Sequence, residues 1–156
     1  MTTVSGYAGG EASNAHYETV ESGRTNHAES VQIFFDPAKI SYGQILKVFF
    51  AVAHDPTQRN RQGPNYGRQY RSMIFYKDTD QERIAEAYIK QLDGAKVFKK
   101  LIATEVVPLN GFYPAESYHQ TYVKRHPNDP YVVVNSLPKL ENLRKQFPQL
   151  VRRSTR

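Results

Sequence analysis

One carboxylate stands out in this 156-residue sequence because of the register in which it falls. Residues 27 to 35 alternate between apolar and polar side chains, which predicts a half-buried strand with Val31, Ile33 and Phe35 on the buried face. Glu29 falls on that same face, where an unpaired carboxylate is costly. Desolvation would raise the pKa of this carboxyl, so Glu29 could donate a proton near neutral pH. A simpler interpretation is also open, in which Glu29 lies at the start of the strand and reaches solvent or an arginine.

A long polar loop offers further groups that could bind an oxygen. The segment from residue 57 to residue 69 contains no acidic residue, and long loops in compact domains are often functional. Between residues 60 and 71, side-chain amides, phenols and guanidiniums follow one another, which suits the binding of a polar oxygen. The arginines and tyrosines are also compatible with a nucleic-acid surface, although no ribonucleoprotein signature or helix-turn-helix accompanies them. These side chains are Arg59, Arg61, Tyr66, Arg68, Tyr70 and Arg71.

The sequence contains no cysteine, which removes whole classes of chemistry. Disulfides, thiolate metal sites, iron–sulfur clusters and thiol nucleophiles all require this residue. The five histidines show no metal-ligand spacing, and neither phosphate-binding glycine motif is present. We therefore expect no metal and no cofactor. His54 and Asp55 could form a catalytic dyad, but a helix cap followed by a turn is the simpler interpretation.

Alternating strands and helices must position these residues. Hydrophobic patterns predict strands at residues 4–7, 27–35, 72–77 and 102–109. Helices are expected between the later strands and after the last one. This order favours an α/β (α+β) fold, in which helices pack on a mixed sheet in a two-layer sandwich.

The predicted helices have recognisable ends. Capping boxes at Ser41–Gln44 and Thr79–Glu82 predict two helix starts, and Pro56 and Gly94 mark the corresponding ends. A third helix is expected to begin at Pro114, and a last one at residues 137–147. The remaining predicted features are Tyr118 and Tyr122 on one face of the third helix, and Ser136 as the cap and Pro138 in the first turn of the last.

Length and composition suit a single domain over residues 1–156. Hydrophobic residues make up 39% of the chain and charged residues 23%, and the formal net charge is +6. A basic C-terminal tail is expected from about residue 151. No stretch is long and apolar enough for a membrane helix, and the first residues lack a secretory signal pattern. A cytoplasmic location is therefore the default expectation, and no membrane partner is expected.

Six short motifs occur in order between about Val4 and about Leu150, and together they strongly resemble the peptide methionine sulfoxide reductase A family. The resemblance implies the family's α/β fold and its activity, which is the repair of one sulfoxide epimer of methionine. The motifs are Ser5-Gly6-Tyr7-Ala8-Gly9-Gly10, His27-Ala28-Glu29, His54-Asp55-Pro56, Asn60-Arg61-Gln62-Gly63-Pro64, Gln69-Tyr70-Arg71-Ser72 and Phe112-Tyr113-Pro114-Ala115-Glu116.

The resemblance implies a reaction that this sequence cannot complete alone. Family members attack the sulfoxide sulfur with a Cys thiolate, release methionine through a sulfenic acid, and are recycled by a second thiol or by thioredoxin. Their cysteine lies in a Gly-Cys-Phe-Trp motif upstream of the Gly-Tyr-x-Gly-Gly segment. We expect the chain to begin after that motif and to lack a core strand and a helix, which agrees with its having neither Cys nor Trp. The chain is therefore expected to be inactive.

The resemblance also implies roles for individual residues. Glu29 stands where the family has the acid that protonates the sulfoxide oxygen. Tyr17 and Tyr70 stand where two phenols hydrogen-bond to that oxygen. Gly9 and Gly10 are expected to bind substrate or to support the residues that do.

Two positions depart from the family pattern. Asn65 stands where the family commonly has Asp, which removes a supporting carboxylate, and Asn26 stands where Gly usually precedes the His-Ala-Glu run. Expected partners are proteins that contain methionine sulfoxide, or free methionine sulfoxide, with thioredoxin as the reductant. Two alternatives remain: a relative that binds sulfoxides without turnover and, less favoured, a basic nucleic-acid-binding module.

Overall fold

The computed structural model describes residues 1–151, so all but the first residue of the predicted basic tail lies outside the described residues. The fold is mixed α/β, as the sequence predicts. Within residues 1–151 the strands form three separate open sheets rather than a single mixed sheet, because apolar patterns predict strands but do not specify their pairing partners. The strands are β1 (Thr2–Ala8), β2 (Ala28–Phe34), β3 (Arg61–Gln62), β4 (Asn65–Tyr66), β5 (Met73–Tyr76), β6 (Glu105–Pro108) and β7 (Phe112–Pro114).

The first sheet has the order β2-β1-β7, and both pairings are antiparallel. In this register Tyr7 lies opposite Glu29 on one side and opposite Tyr113 on the other. The strands β3 and β4 form a short hairpin inside the predicted 57–69 loop, and β5 pairs with β6 in parallel. The loop is therefore partly ordered by its own backbone hydrogen bonds.

Helices pack mainly on the β5–β6 pair. The buried core there consists of Leu46, Phe50, Ile74 and Ala85, contributed by two helices and β5. Parallel strands need a crossover connection, and the longest helix provides it between β5 and β6. The α-helices are α1 (Tyr17–Glu21), α2 (Tyr42–Val48), α3 (Thr79–Gly94), α4 (Tyr122–Arg125) and α5 (Leu137–Gln146), and a π-helical turn over Phe49–Ala53 extends α2.

The helix starts agree only in part with the prediction. At α2 the capping box is confirmed, since the Gln44 N–H donates to Ser41 Oγ at 3.2 Å and the Ser41 N–H donates to Gln44 Oε1 at 2.8 Å. At α3 the predicted box is wrong. The cap is Asp78, whose Oδ1 accepts from the Gln81 N–H at 2.9 Å, and Thr79 is already the first helical residue. Asp is a strong N-cap residue, so it sets the boundary one position earlier.

The C-terminal helices also differ from the prediction. Pro114 does not begin a helix, because it ends β7 opposite Gly6. Tyr118 lies in a 3-10 turn, and Thr121, with a left-handed φ of 54°, separates that turn from α4, which begins at Tyr122. The last helix begins at Leu137 as expected, with Pro138 in its first turn. Ser136 makes no cap hydrogen bond, because it already has helical torsions in a π-helical turn over Val132–Ser136.

The predicted buried face of β2 is instead open. Within the described residues Val31 keeps 58% of its surface exposed and Ile33 36%, while Ala28 on the opposite face is buried. The alternation of apolar and polar residues along β2 predicts that other residues pack on this face, but it does not identify those residues. No helix in residues 1–151 has the length and apolar character needed to cross a membrane.

Candidate active site

Glu29 lies near the start of β2, directly opposite Tyr7 of β1. Glu29 is exposed, so the predicted buried position is wrong and the simpler interpretation, an acid at the strand start that reaches solvent, is confirmed. Nearby protein atoms still partly desolvate the carboxyl group, which raises its pKa. The neighbouring carboxylate of Glu21, the last residue of α1, raises the pKa of Glu29 further. A carboxyl with a raised pKa retains its proton closer to neutral pH, which is the property expected of a general acid.

Two half-buried phenols lie near this carboxyl. Tyr17 is the first residue of α1, and Tyr70 is the last residue of a 3-10 turn over Arg68–Tyr70. Burial raises the pKa of both phenols. The carboxylates of Glu21 and Glu29 raise both pKa values further, and each phenol is close enough to Glu29 to be affected by its charge. Glu29, Tyr17 and Tyr70 are thus near enough to interact electrostatically and form one cluster in this sense, and both phenols remain protonated hydrogen-bond donors.

Glu116 joins the start of α1 to the central strand β1. Its Oε1 accepts from the Tyr17 N–H at 2.8 Å, and its Oε2 accepts from Tyr7 Oη at 2.8 Å. Burial raises the pKa of Tyr7, and the hydrogen bond to Glu116 raises it further. Because Tyr7 lies opposite Glu29, this carboxylate fixes the position of Tyr17 relative to the strand pair that carries the acid.

Gln69 joins the Tyr70 turn to α1. The Gln69 side chain is only 4% exposed, and its Nε2 donates to the carbonyl of Glu21 at 2.9 Å. Gly67 precedes this turn with a φ of 139°, and a Cβ at that position would collide with Gln69 Oε1. The turn therefore requires glycine at position 67 for two independent reasons, backbone torsion and space.

Arg71 joins the same turn to the start of β2. Its Nη2 donates to the carbonyl of Asn26 at 2.7 Å, and its Nη1 donates to the carbonyls of His27 at 3.2 Å and Arg68 at 2.8 Å. Glu29 follows His27 by two residues. Hydrogen bonds of Glu116, Gln69 and Arg71 thus connect the elements that carry Tyr17, Tyr70 and Glu29. These elements are α1, the Tyr70 turn and the β1–β2 pair.

Gly9 and Gly10 pack against a buried histidine. The His27 ring is fully buried, its Nδ1 accepts from the Gly10 N–H at 3.2 Å, and its Nε2 lies 2.9 Å from the carbonyl of Glu11. This pattern assigns the ring proton to Nε2. A Cβ on Gly10 would approach the ring to 2.6 Å, and Gly9 has a φ of 95°. Both glycines thus support the β1–β2 connection, and their contact with substrate remains a prediction.

Asn65 lies beside a phenol that the sequence analysis did not single out. Its Nδ2 donates to Tyr131 Oη at 2.8 Å, so the amide at this position supports a tyrosine. Tyr131 is also close enough to Tyr70 to contribute to the raised pKa of that phenol. No periodicity or motif around residue 131 marks this role, because the contact joins residues far apart in the chain.

His54 and Asp55 do not form a dyad. The Asp55 carboxylate accepts from the N–H and Oγ1 of Thr57 at 2.9 and 2.7 Å, which is the predicted turn. The His54 ring lies between the carbonyl of Phe49 at 3.2 Å and Ser72 Oγ at 2.6 Å, and burial lowers its pKa to about 4. Nor do the residues from 1 to 151 contain any group of three His, Asp or Glu side chains placed to hold a metal ion.

The chemistry available to the cluster follows from these groups. Two phenols can donate hydrogen bonds to a strongly accepting oxygen, and a carboxyl with a raised pKa can deliver a proton to it when it is protonated. They cannot supply electrons, and the sequence contains no thiol.

The sequence is similar to those of known proteins. A family model described as Peptide methionine sulfoxide reductase matches residues 1–151. A peptide methionine sulfoxide reductase MsrA 2 of Synechocystis sp. is 54% identical over 142 residues, which are 91% of this chain and 66% of that protein. The corresponding protein of Mesorhizobium japonicum is 54% identical over 94% of this chain and 75% of its own length. The chain thus spans about two thirds to three quarters of these relatives.

Solved structures show the same similarity. Reduced Mxr1 of Saccharomyces cerevisiae has a TM-score of 0.76 and 33% identity, and the match covers 81% of this chain and 71% of Mxr1. Methionine sulfoxide reductase A of Corynebacterium diphtheriae has a TM-score of 0.68 and 36% identity, with 81% of this chain and 64% of that chain covered. Mxr1 was also solved in complex with Trx2; in that structure the match is 22% identical over 77% of this chain and 64% of the other, with a TM-score of 0.50, and shows the fold alone.

Proposed function

Because the chain belongs to the peptide methionine sulfoxide reductase family, we propose that its cluster of Glu29, Tyr17 and Tyr70 binds the oxygen of a methionine sulfoxide and protonates it as the sulfur–oxygen bond breaks. The observation that carries this proposal is the convergence of one carboxyl with a raised pKa and two protonated phenols. Each comes from a different element of the fold.

The phenols and the acid have different tasks in this proposal. Tyr17 and Tyr70 donate hydrogen bonds to the sulfoxide oxygen and polarise the sulfur–oxygen bond. Glu29 transfers its proton to that oxygen, which allows it to leave sulfur as a hydroxyl group. Its raised pKa makes this carboxyl a better proton donor near neutral pH than an ordinary exposed carboxyl.

The electrons come from a thiolate outside these 156 residues, because the chain has no cysteine. The thiolate attacks the sulfoxide sulfur, the sulfur–oxygen bond breaks, and one proton is taken up. The products are methionine, in which the sulfur is reduced by two electrons, and a sulfenic acid on the attacking cysteine. A dithiol then reduces the sulfenic acid to thiol and water. Mxr1, which is 33% identical to this chain in its reduced form, was solved in complex with Trx2, and this supports thioredoxin as that dithiol.

The substrate in this proposal is methionine sulfoxide, either in a protein or as the free amino acid. The absence of cysteine favours a second candidate function for the 156 residues alone, namely binding of methionine sulfoxide without turnover. The two candidates share the same site and differ only in whether a thiolate reaches it. No contact in the described residues favours the nucleic-acid alternative over this site.

Binding of a sulfoxide tests the proposal without requiring a thiol. We expect the chain to bind N-acetylmethionine sulfoxide and to bind N-acetylmethionine much more weakly, as measured by NMR titration. Tyr17→Phe combined with Tyr70→Phe should weaken sulfoxide binding, whereas Tyr122→Phe, outside the cluster, should leave it unchanged. Equal affinity for the sulfoxide and the sulfide would contradict the proposed function.

A further inference from the structure

The β3–β4 hairpin carries positive charge without compensating acids. Residues 57–69 include Arg59, Arg61 and Arg68 and no Asp or Glu. In the part of the chain from residue 1 to residue 151, none of these arginines forms an ion pair. The nearest preceding acid, Asp55, uses its carboxylate to accept two hydrogen bonds from Thr57. The hairpin therefore presents an unbalanced positive potential to any ligand bound beside it.

Two contacts order the Arg61 side chain but use only part of its hydrogen-bonding capacity. Its Cζ lies 4.3 Å from the centroid of the Tyr66 ring, and its Nε donates to the carbonyl of Gly63 at 2.7 Å. Among the described residues its two Nη groups have no hydrogen-bond acceptor. These are the atoms with which a guanidinium binds a carboxylate in a bidentate manner. Because stacking already orders the side chain, less entropy is lost when a carboxylate binds.

The hairpin is connected directly to the proposed sulfoxide site. Gly67, just after β4, donates its N–H to the carbonyl of Asn60 at 2.8 Å, and the turn that follows ends at Tyr70. Asn65 on β4 donates to Tyr131, whose phenol lies near that of Tyr70. A group bound at the hairpin would therefore lie beside an oxygen bound at Tyr70.

Asn65 contributes to the same charge pattern. A carboxylate at this position would partly neutralise Arg61 and Arg68. The amide supports Tyr131 without adding a negative charge. The carboxylates that do belong to the site, Glu21 and Glu29, lie on α1 and β2. The hairpin is thus cationic, and the acidic groups of the cluster lie on other elements of the fold.

We propose, building on the sulfoxide-binding function above, that the β3–β4 hairpin selects methionine sulfoxide residues flanked by acidic residues. Arg61 binds the flanking carboxylate through its two Nη groups. Arg68 is exposed and strengthens the attraction, since its guanidinium also lacks a partner within residues 1–151. A lysine or arginine beside the oxidised methionine is repelled by the same charges.

The test measures the binding of short fluorescent peptides that share a central methionine sulfoxide and differ only in their flanking residues. At low ionic strength, aspartate-flanked peptides are expected to bind about tenfold more tightly than lysine-flanked ones, with alanine-flanked peptides in between. High salt should largely remove the difference while leaving the affinity for the alanine-flanked peptide nearly unchanged. Arg61→Gln combined with Arg68→Gln should abolish the preference.

Two further variants separate the charge of the hairpin from that of the whole protein. Lys90→Gln combined with Lys99→Gln removes the same amount of charge from exposed positions on α3 and just after it, and should preserve the preference. Arg61→Lys keeps the charge but not the bidentate geometry, so it should retain only part of the preference. Circular dichroism checks that each variant is folded.

The outcomes distinguish this inference from the function on which it rests. Equal affinity for aspartate- and lysine-flanked sulfoxide peptides would overturn the inference and leave the proposed function intact. Absence of sulfoxide-dependent binding with every peptide would contradict the proposed function itself. If aspartate-flanked peptides bound equally well in the sulfide form and were displaced by a single-stranded oligonucleotide, the hairpin would be a general polyanion surface and the inference would be wrong.

Discussion

Tyr7 and Glu29 lie directly opposite each other in the antiparallel pairing of β1 and β2. Tyr7 is buried and donates to Glu116, which in turn accepts from the backbone of Tyr17. One short path therefore connects the proposed acid, through a cross-strand neighbour and a carboxylate, to one of the two proposed phenols. The position of the proposed catalytic groups therefore involves this path as well as the strands and helices that carry them.

The first prediction concerns turnover. The 156-residue chain should not reduce a methyl sulfoxide with either dithiothreitol or thioredoxin, because it has no thiolate to accept the oxygen from the substrate sulfur. The measurement is methionine formation from N-acetylmethionine sulfoxide by chromatography. Turnover by a pure preparation of this chain would refute both the thiol mechanism and the predicted inactivity.

The second prediction concerns the open face of β2. Val31 and Ile33 are 58% and 36% exposed, so the isolated chain should bind a hydrophobic dye and tend to aggregate. Val31→Thr combined with Ile33→Thr should reduce both effects, while Val97→Thr, at an exposed site after α3, serves as the control. A soluble monomer that binds no dye and melts in one sharp transition would show that the face does not promote association, and would favour binding without turnover.

The third prediction concerns the acid. In a longer polypeptide that places a Gly-Cys-Phe-Trp motif upstream of this chain, Glu29→Gln should reduce kcat far more than it weakens substrate binding. The amide keeps the shape but cannot transfer a proton, and general acid catalysis contributes about 10²–10⁴-fold. Tyr17→Phe and Tyr70→Phe should each cost less, because each phenol partly replaces the other. Wild-type turnover by Glu29→Gln together with failure of both tyrosine variants would assign the acid role to a phenol.

The fourth prediction concerns Glu116. Glu116→Ala removes the acceptor for the buried Tyr7 hydroxyl and for the Tyr17 N–H, so the free energy of unfolding should fall by about 1–3 kcal/mol. Sulfoxide binding should weaken as well, because Tyr17 loses its anchor. Glu18→Ala, an exposed site on the same helix α1, provides the control for charge loss. Urea denaturation measures stability, and an unchanged midpoint for Glu116→Ala would contradict the predicted loss of stability.

The fifth prediction concerns pH. Burial lowers the pKa of His54 in the folded chain to about 4, below the value of about 6.5 for an unperturbed histidine. Between these two values the unfolded chain binds more protons than the folded one, so stability is complete above pH 6.5 and falls as the pH decreases toward 4, by up to about 3 kcal/mol. His54→Gln should flatten this part of the profile. The pKa values of Glu116 and Asp55 are lowered, so their contributions to stability are lost mainly below the usual carboxyl pKa range. Comparing wild type with His54→Gln in thermal melts between pH 7 and 4 therefore isolates the histidine. Identical profiles for wild type and His54→Gln would contradict the prediction.

The sequence predicts the local elements of this fold better than their assembly. The Ser41 capping box depends only on neighbouring residues, and the structure confirms it. Pro114 fits the first turn of a helix equally well in isolation, but pairing with Gly6 places it in β7. Single-sequence patterns do not contain that distant contact.

The same distinction applies to the candidate site. The alternation of apolar and polar residues singles out Glu29, because it places an acid on the apolar face of a strand. Tyr17 and Tyr70 are predicted only from the family resemblance. Tyr131 and the connecting role of Gln69 remain hidden, because each acts through a contact between residues about fifty or more positions apart. Such contacts follow from the folded arrangement and leave no local pattern in the sequence.

The hydrogen bonds of Arg71 have a consequence for evolution. All three go to main-chain carbonyls, those of Asn26, His27 and Arg68, and a carbonyl is present whatever side chain its residue carries. Positions 26 and 68 can therefore change without weakening these hydrogen bonds. Arg71 supplies all three hydrogen bonds with its side chain, so we expect substitutions of Arg71 to be tolerated much less than substitutions at positions 26 and 68.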